Sequence, residues 1–122
     1  LAENQPQRWV QGSFRECSNK GLEAFMREKD IEQKIVSAVK RRGGICPKWV
    51  SPGFDGVPDR IAIFPMAKIC FIEVKASGKK PRPLQKARHK QLRHFGFRVY
   101  VIDCEEQIDA MFEEMGGRAN EV

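Results

Sequence analysis

The stretch that most restricts how this chain can fold begins at Gly56-Val57-Pro58-Asp59-Arg60 and ends at Phe71-Ile72-Glu73-Val74-Lys75. Between its ends lie Ile61-Ala62-Ile63-Phe64, a break at Pro65-Met66-Ala67, and Lys68-Ile69-Cys70. The pattern predicts a strand beginning at Asp59, a tight turn, and a second strand ending at Lys75. In an antiparallel hairpin the start of the first strand lies beside the end of the second. Asp59 and Glu73 are therefore expected as neighbours at one mouth of a sheet. Glu73 and Lys75 project from the same face while Val74 points the other way. Two carboxylates and an ammonium then converge where the strands are otherwise apolar.

That convergence has a chemical use. Adjacent carboxylates repel each other and are costly to desolvate unless a divalent cation lies between them. Hard oxygen ligands suit Mg²⁺ or Mn²⁺, and Mg²⁺ keeps waters and shares its shell with phosphates. A lysine beside them can orient or help deprotonate an attacking water and stabilise charge building at phosphorus.

Charge placement points to the same class of substrate. The chain has 122 residues and a net charge of +6. Residues 1–25 are balanced, with Arg8, Arg15 and Lys20 against Glu3, Glu16 and Glu23. From Lys75 through Arg98 there are nine Lys or Arg and no acid. Such a run beside a phosphodiesterase-like site reads as a polyanion footprint. Its members Lys79, Lys80, Arg82, Lys86, Lys90 and Arg93 are expected to hold a nucleic-acid phosphate backbone, giving salt-dependent and largely sequence-independent binding.

The length suits one domain with one core. No apolar run approaches a membrane span, and the N-terminus lacks the apolar core of a signal peptide, so an intracellular protein is expected. Cys17, Cys46, Cys70 and Cys104 are scattered without a CxxC pair, which favours buried thiols in a reducing compartment over a zinc site. Residues 1–25 show no clear periodicity and are expected to be an extension or added leader, with the folded unit at 26–122. Within them Gly21 to Phe25 could prolong the first helix.

That helix is expected at about 28–42, with Ile31, Ile35, Ala38 and Val39 as its apolar stripe and Gly43-Gly44 as its stop. A strand at about 45–50 follows, then the loop Ser51-Pro52-Gly53-Phe54-Asp55-Gly56 at the mouth of the site. Ser51 and the loop N–H groups could meet a phosphate, or the loop could be a turn only; Asp55 is read as turn chemistry. After the hairpin, the basic connection Ser77 to Arg82 leads to a helix opening at Pro83. Leu84, Ala87, Arg88, Gln91, Leu92 and Phe95 are expected on its inner side. Lys86, His89, Lys90 and Arg93 take the other side, with His89 and His94 facing DNA or solvent. A strand at 97–102 and an amphipathic helix at 105–115, with Ile108, Met111, Phe112 and Met115 inward, complete the chain.

Pro58-Asp59 followed by Glu73-Val74-Lys75 across a hairpin resembles the active-site signature of the PD-(D/E)xK nuclease superfamily. The surrounding residues, Lys48 to Arg60, Phe71 to Lys75 and Gly78 to Gln85, resemble the VRR-NUC (virus-type replication-repair nuclease) family over about residues 26–115. Pro65-Met66-Ala67-Lys68 departs from the Gly-rich turn common in that family. The resemblance implies an α/β, restriction-endonuclease-like core in the order α-β-β-β-α-β-α, a mixed central sheet flanked by helices. It further implies an endonuclease dependent on Mg²⁺ or Mn²⁺. Asp59, Glu73 and the main-chain carbonyl of Val74 would bind metal, Lys75 would position water, and Gln85 would support the site by bonding a water, a phosphate oxygen or Lys75. Glu32 would complete or tune the metal site, with Glu28 as the alternative. Small stand-alone viral and bacterial members point to the cytoplasm of a bacterium, with a phage or prophage gene. Similarity to junction resolvases points to branched DNA and a homodimer, because two concerted cuts need two sites. The alternatives are a flap or nick-type nuclease acting as a monomer, and a DNA-binding module that keeps the fold without catalysis.

Overall fold

The computed structural model describes residues 26–116; the expectations placed on residues 1–25, Cys17 included, lie outside them. Helix α1 spans Glu28–Arg41 and buries Ile31, Ile35, Ala38 and Val39, the expected stripe. Glu28 and Asp30 occupy its first turn and Lys40 and Arg41 its last, complementing the helix dipole at both ends. The Gly43 N–H donates to the Lys40 carbonyl and the Gly44 N–H to the Val39 carbonyl, which ends the helix in a Schellman motif. Gly43 takes the left-handed φ of 84° that this motif needs. Gly44 is required for another reason, since a Cβ there would lie 2.5 Å from the Ile63 carbonyl oxygen.

Among the described residues one three-stranded sheet runs in the order β1 (Arg60–Phe64), β2 (Lys68–Val74), β3 (Arg98–Ile102). β1 and β2 are antiparallel, and β2 and β3 are parallel. The parallel pair is joined through helix α2, Pro83–His94, and the chain continues into α3, Glu106–Glu114. Ala62, Phe64, Cys70, Ile72, Val74, Tyr100 and Ile102 share one face of the sheet and pack with α1 and α3 residues into the main core. Cys46 and Cys70 are buried free thiols, and Cys104 is buried too. No helix among the described residues is long and apolar enough to cross a membrane.

The mixed sheet flanked by helices is the architecture expected, with one local difference. The segment expected as a first strand at 45–50 makes isolated bridges, Ile45 with Ile63 and Lys48 with Arg60. Its register is nevertheless that of an antiparallel edge strand. Ile45 exchanges two backbone bonds with Ile63, the Ile61 N–H donates to the Pro47 carbonyl, and the Trp49 N–H donates to the Asp59 carbonyl. Pro47 has no N–H to return, so the ladder is interrupted between the bridges.

Helix α2 also departs from expectation. Gln85 and His89 are its buried residues, while Leu84 and Phe95 are 48% and 65% exposed and Ala87 and Gln91 lie at the surface. The inward row is Gln85, His89 and Leu92, about one position round from the expected stripe. The helix covers the sheet face that carries Glu73, so polar side chains meet a polar patch.

The β1–β2 turn at 65–67 places both Met66 (φ 70°) and Ala67 (φ 62°) in the left-handed region. A side chain there costs about 1–2 kcal/mol per residue. Ala67 is exposed, and Ala67→Gly is expected to raise stability by about 1 kcal/mol once the added freedom of the unfolded chain is offset. A urea melt with an unchanged m-value would register this as a higher midpoint.

Candidate active site

The hairpin builds the centre of the site. Arg60 lies opposite Ile72 in the β1–β2 register, and one more step sets Asp59 opposite Glu73. Pro58, fully buried, fixes the approach to Asp59. The Val74 N–H donates to Asp59 Oδ2 at 2.8 Å, tying the aspartate to the strand that carries the glutamate. Burial chiefly, with the charges of Glu73, Glu28 and Glu32, pushes the Asp59 carboxyl up to about 6 against the pull of the Val74 N–H.

Glu73 is 1% exposed. A buried carboxylate carries an effective penalty of several kcal/mol unless charged and hydrogen-bonding partners offset it. Gln85 Nε2 donates to Glu73 Oε2 at 2.8 Å, and Lys75 Nζ lies 3.4 Å from the same oxygen. The Gln85 amide has one reading, because its Oε1 accepts the Arg82 N–H at 2.8 Å and the Nε2 end must therefore face Glu73. Gln85 thus closes the first turn of α2 and binds the carboxylate with one side chain. Asp59, Glu73 and Lys75 lie at one end of the hairpin. Gln85, expected to bond a water, a phosphate oxygen or Lys75, bonds Glu73 instead because its other end closes the first turn of α2.

Glu32 is placed differently. Arg60 Nε donates to Glu32 Oε2 at 2.7 Å, and Arg60 Nη1 donates to the Cys46 carbonyl. Glu32 acts on Asp59 through space, as does Glu28, and does not join the Asp59–Glu73 pair by contact. Arg60, adjacent to Asp59, was the sequence signal for this partnership, since an arginine opening an apolar strand needs an acid nearby.

The surrounding basic residues divide into two groups. Lys79, Lys80, Arg82, Lys86 and Lys90 are exposed. Arg93, expected beside them, turns inward and donates from Nη2 to the Val99 carbonyl; burial lowers its guanidinium to about 10. It has left the phosphate-facing side because the helix is rotated. Arg88 is also committed, donating from Nε to the Asp55 carbonyl at 2.7 Å with its guanidinium 3.9 Å over the Phe54 ring. At Gly56 (φ 86°) a Cβ would lie 2.9 Å from the Leu84 side chain. Leu84 and Arg88 therefore clamp the 51–56 loop against α2, and Ser51, half-buried, sits within that loop.

His89 was missed. It is 0% exposed, and its Nε2 lies 3.8 Å from Glu73 Oε1. Its spacing from Gln85 was the available signal, because residues i and i+4 share a helix face.

No set of three His, Cys, Asp or Glu side chains suited to a metal occurs among the described residues. Asp59 and Glu73, brought to one end of the hairpin, offer instead a sparse, all-oxygen donor set. That suits a hard cation which keeps several waters, as Mg²⁺ does.

No family model matches the chain. Over 82 residues it is 47% identical to a protein of Acyrthosiphon pisum secondary endosymbiont phage 1 named "Putative nuclease p44", which spans 67% of this chain and 88% of that protein. A solved structure titled "VRR_NUC domain" superposes with a TM-score of 0.69 at 30% identity, covering 72% of this chain and 96% of that one.

A carboxyl raised in the folded state takes up protons on folding. Stability of the metal-free protein is therefore expected to fall as pH climbs from about 4, the unfolded value, to beyond the Asp59 value of about 6. Asp59→Asn should flatten that part of the profile, read from urea midpoints between pH 4 and 8 in chelator. Gln85→Leu strips a buried carboxylate of its hydrogen bond and should cost about 1–3 kcal/mol, measured in the same melts.

Proposed function

The chain belongs to the VRR-NUC family, and from that premise we propose that it is a metal-dependent endonuclease that resolves Holliday junctions in DNA as a homodimer. The observation that carries this reading is the pairing of Asp59 with the buried Glu73, Lys75 Nζ standing 3.4 Å from Glu73. Burial of a carboxylate pair with a lysine at the end of apolar strands has a steep cost to folding, and phosphodiester chemistry gives it a purpose.

Asp59 and Glu73 would hold Mg²⁺ or Mn²⁺ together with the main-chain carbonyl of Val74 and waters, Glu32 tuning the site from its place on α1. The bound ion supplies Lewis-acid polarisation of the phosphate and lowers the pKa of water. Lys75 orients the attacking water and counters the negative charge that builds on phosphorus. As the new O–P bond forms, the P–O3′ bond breaks, the water's proton leaves to solvent and O3′ gains one, giving 5′-phosphate and 3′-hydroxyl ends. Gln85 holds Glu73 in place throughout.

Lys79, Lys80, Arg82, Lys86 and Lys90 give the site an exposed cationic border. Contacts of that kind bind phosphates without reading bases, which favours recognition of DNA structure. One chain carries one site, so paired cuts across a junction call for two chains related by a twofold axis. Similarity to a phage protein named as a nuclease supports action on DNA inside a bacterial cell.

The test is cutting of labelled four-way junction, flap and duplex DNA by the wild-type chain and Asp59→Ala, in Mg²⁺, Mn²⁺ and EDTA. Symmetric paired cuts in the junction are expected, abolished by EDTA and reduced at least a thousandfold in Asp59→Ala, with a solution mass of two chains. Cutting confined to flaps by a monomer would replace the resolvase reading. Binding without cutting in either metal would refute the nuclease reading.

A further inference from the structure

His89 has no part in the chemistry described above, yet its placement is costly. It is 0% exposed, and both ring nitrogens are buried without a hydrogen-bond partner. The Oε1 atom of Glu73 is in the same condition and lies 3.8 Å from His89 Nε2. An apolar side chain at this position would avoid the desolvation of an imidazole. The gap is too short for a bridging water, which needs about 2.7–3 Å to each partner. A movement of less than about 1 Å turns the approach into a direct N–H···O bond.

We propose that His89 is a positioning residue for Glu73, donating from Nε2–H to Oε1 while Gln85 donates to Oε2. The inference rests on the reading of Glu73 as a metal-binding carboxylate and adds a residue to that site. Gln85 and His89 rise one turn apart from the same face of α2 and take the two oxygens separately. Oε2 also meets Lys75. A carboxylate held at both oxygens keeps its plane and torsions when a cation engages it, so little freedom is lost on binding. Such partners of a metal ligand are worth about 10–100-fold in metal affinity or activity. The assignment requires a proton on His89 Nε2.

The experiment uses the full chain with His89→Leu and His89→Gln, the latter restoring an N–H donor. Mn²⁺ affinity is measured by calorimetry and junction cutting by steady-state kinetics, after circular dichroism has established folding. His89→Leu should bind Mn²⁺ about tenfold more weakly and lower kcat by about 10–100-fold, with KM for DNA within about twofold. His89→Gln should recover most of both losses. A folded His89→Leu with wild-type Mn²⁺ affinity and kcat would overturn the proposal while leaving the nuclease reading intact. A wild-type chain that neither binds Mn²⁺ nor cuts would overturn both. Should His89→Leu not fold, nitrogen-resolved NMR of the wild-type chain decides. An imidazole Nε2–H that exchanges slowly and shifts in Glu73→Gln supports the bond; an Nε2 without a proton overturns it.

Discussion

The structure depends on keeping one negative charge, that of Glu73, away from water. Nothing in the packing of β2 requires a carboxylate there; its neighbours Ile72 and Val74 show what the strand accepts on its other face. Once present, the charge dictates its surroundings. Gln85 and Lys75 are drawn to it, His89 is set beside it, and α2 presents a polar row to the sheet. The fold therefore has two unlike sides. One is an apolar core between the sheet and α1 with α3, and the other a polar seam under α2.

Stability and chemistry are divided between those sides. The apolar side carries Ile31, Ile35, Val39, Ile72, Tyr100, Ile102 and Met111, all at 0% exposure, and burial of such side chains contributes about 1.5–3 kcal/mol each. That reserve supports a seam in which buried polar atoms are incompletely satisfied. Asp59 illustrates the exchange, since its carboxyl is pushed up to about 6 largely by burial. A positive charge placed beside such a carboxyl would favour its ionised form and relieve this destabilisation.

Much of this was readable beforehand because it rests on short-range rules. The hairpin follows from two apolar runs around a break, and antiparallel pairing alone brings Asp59 to Glu73. Helix α1 follows from Ile31, Ile35, Ala38 and Val39 and its glycine stop. The rotation of α2 was hidden because apolar periodicity reports which face meets an apolar core. This helix lies on a charged patch, where Gln85 and His89 go inward and Phe95 goes outward. Arg93 followed the rotation to the Val99 carbonyl, which no count of basic residues could reveal. The strand at 45–50 was over-read because propensity does not register the one donor missing at Pro47. Glu32 was expected at the metal site, but its carboxylate is held by Arg60, a partner that comes from another element.

The connection between β2 and β3 gives the site an order of assembly. Asp59 and Glu73 belong to a hairpin closed by three residues, and such hairpins form in about 1–10 μs. The residues that support Glu73 arrive on the crossover, whose parallel pairing must first overcome the entropy of closing a longer loop. During that interval Glu73 stays hydrated on an open strand, and its charge carries no penalty. The penalty arises only when α2 docks, in the same step that delivers Gln85. A chain cut off after β2 would therefore carry both acidic residues without the α2 side chains that contact Glu73.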